Sequence, residues 1–234
     1  MVKAIIRAAT VTGLRHRNAN QRNQDAFKIH AGKDYWVVAV ADGVGSLAFS
    51  RYGAKAICKS VCHVAKQYNK HRIDGNDVCS EIVKVFQQMI PQRYAGQCAT
   101  TCLFAIFHKD GELLVGQAGD GMVALGMDGN YKVVSEKTED FANIVHPINA
   151  TKEFHGWKAI RTQMDFQKMK RLNLVLATDG VSEDILPEKR DSFLEYLVNE
   201  TQRSRDIKRI LSAWEVPGSS DDKTIAIMEL IDHE

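Results

Sequence analysis

The sequence predicts a mixed α+β fold with antiparallel strands, and three observations carry that prediction. Residues 100–134 read as apolar runs interrupted by Asp110-Gly111 and Asp128-Gly129, and Asp-Gly between apolar runs is a strong hairpin signal because both residues tolerate left-handed turn geometry. Two amphipathic helical stripes follow one another directly after an early apolar strand. The chain then closes with a helical region and a final strand, TIAIMEL. Strands in runs and helices in runs belong to α+β folds.

Taken in order, residues 2–12 and 26–31 are β-branched or apolar enough for short strands, and the polar segment GLRHRNANQRNQD between them reads as a solvated connection or, with Arg15, His16, Arg17 and Arg22, as a basic loop that faces an anion. The run WVVAVADGVG at 36–45 is an apolar strand that delivers Asp42 to a loop. Ala54, Ile57, Val61, Val64 or Ala65, and Tyr68 recur at spacings of three and four, which predicts a helix over 47–67 capped by Ser46. Val78, Ile82, Val85, Phe86 and Met89 predict a second helix over 77–89, ended by Pro91. An antiparallel meander occupies 100–134. Residues 135–170 lose periodicity and are expected to form an irregular, flap-like excursion. One or two helices over 187–214 point Phe193, Leu194, Leu197, Val198, Ile207, Ile210, Leu211 and Trp214 inward.

The length of 234 residues suits one large domain, 1–234, and nothing in the sequence marks a linker that would divide it. With 44% hydrophobic and 26% charged residues, the composition excludes a disordered or fibrous chain. A net charge of +2 gives no global field to attract nucleic acid or an acidic membrane, so neither is expected as a partner. The N-terminal apolar run is broken by Arg7 and no run has the length of a membrane span, which predicts a cytoplasmic protein. The five cysteines are odd in number, form no CxxC and sit in apolar segments, as reduced core thiols do. Cys58 and Cys62 beside His63 read as core residues rather than a metal pair. If both lie in a strand, Cys98 and Cys102 stand about 13 Å apart, too far to share an ion.

Six Asp-Gly pairs occur, and those at 42, 120 and 179 follow apolar strands. Together with Asp221-Asp222 before the last strand and Asp25, they form a set of carboxylates with no matching set of lysines. Like charges gathered at one end of a sheet system need protons or cations to persist. Oxygen-only ligands select hard ions such as Mg²⁺ or Mn²⁺. A pair of such ions binds phosphate and lowers the pKa of a water.

The motifs NQDAF at 23–27, VVAVADGVGS at 37–46, ATT at 99–101, GQAGDG at 116–121, LATDG at 176–180 and SDDKTIAI at 220–227 stand in an order that resembles the metal-dependent serine/threonine protein phosphatases of the 2C type. The resemblance covers nearly the whole chain. It implies a four-layer α-β-β-α sandwich, with two antiparallel sheets packed face to face and flanked by helix pairs. It implies two Mg²⁺ or Mn²⁺ ions bridged by Asp42, with the Gly43 carbonyl as a further ligand. Asp179 and Asp221 take one ion, Asp222 is a weaker ligand candidate, and Asp25 acts at or just outside the second ion. Asp120 matches a position linked in bacterial members to a third, weaker ion. Asp42 and Asp179 are the expected catalytic residues.

The departures from the family pattern lie around the ions rather than in them. Asn20 stands where many members have the arginine that holds substrate phosphate, so Arg15, Arg17 or Arg22 is left to replace it. Val44 stands where some members have a histidine that serves as an acid, and Gly119-Asp120-Gly121-Met122 replaces a GDSR-like motif. The expected activity is hydrolysis of phosphoserine or phosphothreonine in proteins, by in-line attack of a metal-bridging water and with no covalent intermediate. Its implied partners are a phosphorylated protein substrate and a cognate serine/threonine kinase. The alternative is a weakly active or inactive regulatory binding module on the same fold.

Overall fold

The structure, a computed structural model, describes residues 2–71, 75–127, 129–134, 147–166, 169–214 and 218–232. In chain order its elements are β1 (Val2–Val11), α1 (Leu14–Asn18), β2 (Ala26–Ala31), β3 (Tyr35–Ala41), α2 (Ser50–His71), α3 (Gly75–Met89), β4 (Ala99–Thr100), β5 (Cys102–His108), β6 (Glu112–Ala118), β7 (Met122–Met127), β8 (Asn130–Val133), β9 (Ile148–Asn149), β10 (Lys158–Gln163), β11 (Arg171–Ala177), α4 (Asp179–Ser182), α5 (Arg190–Glu200), α6 (Ser204–Ser212) and β12 (Lys223–Asp232).

Two five-stranded sheets organise them, one in the order β1-β12-β11-β7-β8 and the other β10-β6-β5-β3-β2, with β4 and β9 as a small separate pair. All the strand pairings are antiparallel. Side chains alternate across each strand, and both faces of the central strands are apolar because each sheet is covered twice. On β3, Trp36, Val38 and Val40 face the other sheet while Tyr35, Val37, Ala39 and Ala41 face α2 and α3. On β11 and β12, Leu172, Leu174, Leu176, Ala226, Met228 and Leu230 fill the space between the sheets. Val175, Ala177, Ile225 and Ile227 point outward to Leu194, Leu197, Val198, Ile207 and Leu211 of α5 and α6. The result is the four-layer α-β-β-α sandwich. Each fully buried large apolar side chain contributes about 1.5–3 kcal/mol to it.

The helical stripes read from the sequence are the buried faces of α2, α3, α5 and α6. The late helical region is two helices, α5 and α6. Arg7 of β1 ties α5 to its sheet, with Nη1 2.9 Å from Glu229 Oε2, Nε donating to Thr201 Oγ1 and Nη2 to the Val198 carbonyl. Each nitrogen of that buried guanidinium therefore meets an acceptor.

Three local expectations need correction. The helix predicted from 47 begins at Ser50, so Ser46 lies four residues before it and is not its cap. Within the segment read as a solvated connection, residues 14–18 form the short α1, held by Arg15 N–H to the Ser220 carbonyl. Of the expected flap, 135–146 and 167–168 lie outside the described residues. Residues 158–163 are not irregular but form β10, an edge strand paired with β6 from Lys158↔Gln117 to Gln163↔Glu112. Its side chains are mostly exposed, so it lacks the apolar alternation that marks a half-buried strand, and backbone pairing plus the Arg161–Glu112 ion pair hold it instead.

Candidate metal centre

Strand register brings the carboxylates together. In the β2–β3 pair Ala26 lies opposite Ala41, so one step further along the register sets Asp25 opposite Asp42. In the β7–β11 pair Met122 lies opposite Ala177, so two steps further set Asp120 opposite Asp179. The turn before β12 carries Asp221 and Asp222 to the same end of the sandwich. Two sheets thus present acidic residues at one edge from five different strands.

The loop after β3 is clamped by the ATT segment. Asp42 N–H donates to Thr101 Oγ1 at 2.9 Å, while Thr101 N–H and the Thr100 hydroxyl donate to the Asp42 carbonyl at 2.8 and 2.7 Å. Gly43 forms a bridge with Thr100, and a Cβ on it would lie 2.6 Å from the Ser50 backbone, so glycine is what lets α2 pack against this loop.

Asp25 is buried, and its two oxygens differ. Oδ2 accepts from the hydroxyls of Thr178 at 2.9 Å and Thr224 at 2.6 Å, whereas Oδ1 is buried with no hydrogen-bond partner among the described residues. Asp42 lies beside it, and two ionised carboxylates have no hydrogen to share. Burial first, and the adjacent Asp25 charge next, push the Asp42 carboxyl far above the usual carboxylate range, with Asp179 and Asp221 adding to the shift. Burial likewise raises Asp25, while the Asp42 carboxyl alongside and the hydroxyls of Thr224 and Thr178 act to lower it. Asp179 is pushed up to about 6, by burial first and by the charge of Asp120 next, although the Gly180 N–H donates to its Oδ1 at 2.7 Å. The charges of neighbouring carboxylates thus add to the effect of burial on Asp25, Asp42 and Asp179.

Asp221 and Asp222 play different parts despite being adjacent. Arg15 Nη2 reaches both Asp221 oxygens, at 3.0 and 2.8 Å, with the Arg15 side chain 55% exposed at the surface of the site. Asp222 is buried, and its oxygens already accept from Gly13 N–H at 2.8 Å, Gln24 N–H at 2.6 Å and His16 Nδ1 at 2.8 Å. The ligand atoms of His16, Asp221 and Asp222 lie within 4.8 Å of one another, but the facing atoms of His16 and Asp222 already engage each other. Asp222 thereby fastens the segment from Gly13 to Gln24 beneath the site.

Asp25, Asp42, Asp179 and Asp221 therefore converge, with Asp120 beside Asp179 and Gly43 beside Asp42. Of the three candidate arginines, Arg15 is the one in contact with a carboxylate of the centre. Arg22 lines a cleft next to it, and Arg17 lines a separate pocket with Lys208 and Trp214. The sequence reading missed Thr178, Thr224 and His16, which orient the carboxylates. The two threonines sit inside the quoted motifs, one residue before Asp179 and two after Asp222, where their hydroxyls were not weighed.

The donor set fits hard divalent cations. It is all oxygen, burial and neighbouring carboxylate charge raise Asp25, Asp42 and Asp179 toward protonation, and the buried Asp25 Oδ1 is left for a partner that no described protein group supplies.

Comparison with known proteins finds the same fold in solved structures. The catalytic domain of the serine/threonine phosphatase PstP in complex with two manganese ions superposes with a TM-score of 0.73 at 17% identity, covering 99% of this chain and 100% of that one. RsbX in complex with magnesium gives 0.64 at 16% identity over 98% and 100% of the two chains. The S. agalactiae serine/threonine phosphatase gives 0.70 at 14% over 97% and 99%. At such identities the likeness is one of fold. None of the curated protein sequences compared with the chain matches it. The family described as protein phosphatase 2C matches residues 12–214, and with that span of sequence on this fold the chain belongs to the protein phosphatase 2C family.

Proposed function

We propose that this chain is a metal-dependent phosphatase acting on phosphoserine and phosphothreonine in proteins. The observation that carries the reading is the convergence of Asp25, Asp42, Asp179 and Asp221 at one end of the sandwich, where burial first and neighbouring carboxylate charge next raise the carboxyls of Asp25, Asp42 and Asp179. Asp42, the Gly43 carbonyl, Asp179 and Asp221 would hold the ions, Asp25 would turn its free Oδ1 toward them, and Asp120 would serve a third, weaker position. When bound, Mg²⁺ or Mn²⁺ neutralises phosphate charge and lowers the pKa of a water.

The remaining residues prepare that chemistry. Thr178 and Thr224 fix Asp25, and Thr100 and Thr101 fix the backbone of Asp42. Arg15 neutralises Asp221 in the metal-free chain and is positioned to turn its guanidinium to a substrate phosphate once those oxygens have another partner. Val44 has no proton to give, so the leaving alkoxide takes its proton from water. Burial raises the thiols of Cys58 and Cys102 well above their ordinary value, which makes them poor nucleophiles and supports direct hydrolysis without a covalent intermediate. The free cysteines support a reducing compartment, the cytoplasm. No helix among the described residues is long and apolar enough to cross a membrane. A phosphoprotein is the substrate, and a serine/threonine kinase is the enzyme that would make it.

The test is hydrolysis of a phosphothreonine peptide by the purified chain with Mn²⁺ or Mg²⁺, with chelator, and in Asp42→Asn and Asp179→Asn. Metal-dependent turnover lost in both variants is expected. Turnover that survives chelation or either substitution overturns the mechanism, and metal binding without turnover on any phosphopeptide points to the binding module.

A further inference from the structure

Beside the metal centre lies a cleft of about 640 Å³ whose walls are Gln21, Arg22, Gln24, the loop from Gly45 to Phe49, the first turns of α2 and Gln97. It adjoins the centre through Gly45 and Arg15. A Cβ placed on Gly45 would lie 3.4 Å from Gln24 Oε1 and 3.5 Å from Arg15 Nη2, and that same nitrogen is 2.8 Å from Asp221 Oδ2. The cleft is basic, lined by Arg22, Arg51 and Lys55. Among the described residues none of the three forms an ion pair, and the buried Arg51 Nε finds no hydrogen-bond partner.

This charge is arranged against the local energetics of the helix. Arg51, Lys55 and Lys59 follow at spacings of four on one face of α2, and like charges at that spacing repel by about 0.2–0.5 kcal/mol per pair. Arg51 also stands in the first turn of the helix, where the macrodipole favours acidic side chains, yet that turn holds none. The sequence of α2, SRYGAKAICKSVCHVAKQYNKH, contains no Asp or Glu at all. Exposed Phe49 and Tyr52, at 37% and 46%, add an apolar lining on which a peptide backbone can lie.

We propose that this cleft is a substrate subsite for a second anionic group, a carboxylate or a further phosphate, on residues flanking the phosphoresidue to be hydrolysed. The proposal rests on the phosphatase reading of the neighbouring centre. Arg51 and Lys55 from one helix face and Arg22 from the segment opposite converge on the anion, and Arg15 separates this subsite from the ions. An extended peptide advances about 3.3 Å per residue, so the cleft selects anionic groups within a few residues of the phosphoresidue.

The experiment uses three peptides that share one phosphothreonine and differ in their flanks: alanine, glutamate, or a second phosphoserine. With the Mn²⁺-loaded chain, one or both anionic peptides are expected to show kcat/KM about tenfold above the alanine peptide, through KM, since charge-assisted contacts are made before the reaction. That ratio is expected to fall close to one in Arg51→Gln/Lys55→Gln and to drop partway in Lys55→Gln, whose exposed side chain can be replaced without disturbing the core. A preference for glutamate identifies carboxylates as the ligand, and a preference for the diphosphorylated peptide alone identifies phosphate. Equal values for all three peptides, or a preference that persists in both variants, overturn the subsite. Non-hydrolysable phosphonate versions of the peptides, followed by fluorescence anisotropy, separate this proposal from the activity. Charge-selective binding that the variants abolish, in a chain with no turnover, keeps the subsite and sinks the phosphatase reading. Turnover without charge selectivity does the reverse.

Discussion

His16 and Asp222 form a buried pair, Nδ1 to Oδ2 at 2.8 Å, between α1 and the turn before β12, and Asp222 also takes the backbone N–H groups of Gly13 and Gln24. Removing the carboxylate leaves three donors without an acceptor in the interior. Asp222→Ala is expected to cost about 3 kcal/mol of stability. The folded fraction is expected to keep its Mn²⁺ affinity, measured by calorimetric titration. A loss of metal affinity as large as that of Asp42→Asn would instead make Asp222 a ligand.

One residue away, Arg15 and Asp221 form the exposed counterpart of that pair. An exposed ion pair contributes about 0–1 kcal/mol, so Arg15→Ala should leave the melting temperature nearly unchanged. Its effect is expected in kcat/KM for a phosphopeptide, lowered by about tenfold or more and only partly restored by Arg15→Lys, because a lysine cannot grip phosphate bidentately. Arg17→Ala, in the separate pocket, serves as the control and should change little.

Asp42→Asn and Asp179→Asn are expected to act in opposite directions on activity and on the metal-free fold. Each removes a charge that its neighbours oppose, so the metal-free variants should melt at or above the wild-type temperature. Both should lose metal-dependent hydrolysis by about 10²-fold or more, and Mn²⁺ should no longer raise their melting temperatures. Thermal melts with and without Mn²⁺ check both halves of the prediction.

The same repulsion sets a pH dependence. Folding raises the carboxyls of Asp25, Asp42 and Asp179 above their unfolded values, so between those limits the folded chain binds more protons than the unfolded one. The sign is that stability from these groups is present at low pH and lost as pH rises. For Asp179 the window runs from 3.8 to about 6, and the Asp25–Asp42 pair extends it upward. In chelator, the melting temperature should fall by several degrees from pH 5 to 7.5, and the rise on adding Mn²⁺ should be larger at the higher pH. A metal-free melting temperature that climbs over this interval would contradict the arrangement.

Gly180 marks a close approach of two chain segments. A Cβ on it would lie 2.0 Å from the carbonyl oxygen of Asp222. Backbone cannot give way as a flexible side chain does, so Gly180→Ala is expected to destabilise the chain by about 1–3 kcal/mol and to weaken metal binding by shifting Asp179 against Asp221. Denaturant unfolding and metal titration measure the two effects.

By itself, the sequence determined the elements and which residues they would deliver. The stripes of α2, α3, α5 and α6, the meander of β5–β8 and the strand-end positions of Asp42, Asp120 and Asp179 are local patterns, readable because helix and strand periodicities repeat within a few residues. The strand β10 was not readable, since edge pairing to β6 leaves its side chains in solvent and imposes no apolar alternation. The roles around the site were also beyond a local reading. Which arginine meets the centre, and which partners Asp221 and Asp222 take, depend on contacts 206 residues apart in the chain. Only the tertiary structure decided them, because strand register and the packing of Gly13 and Gly180 against the turn at 221–222 fix which oxygens are already hydrogen-bonded and which remain available.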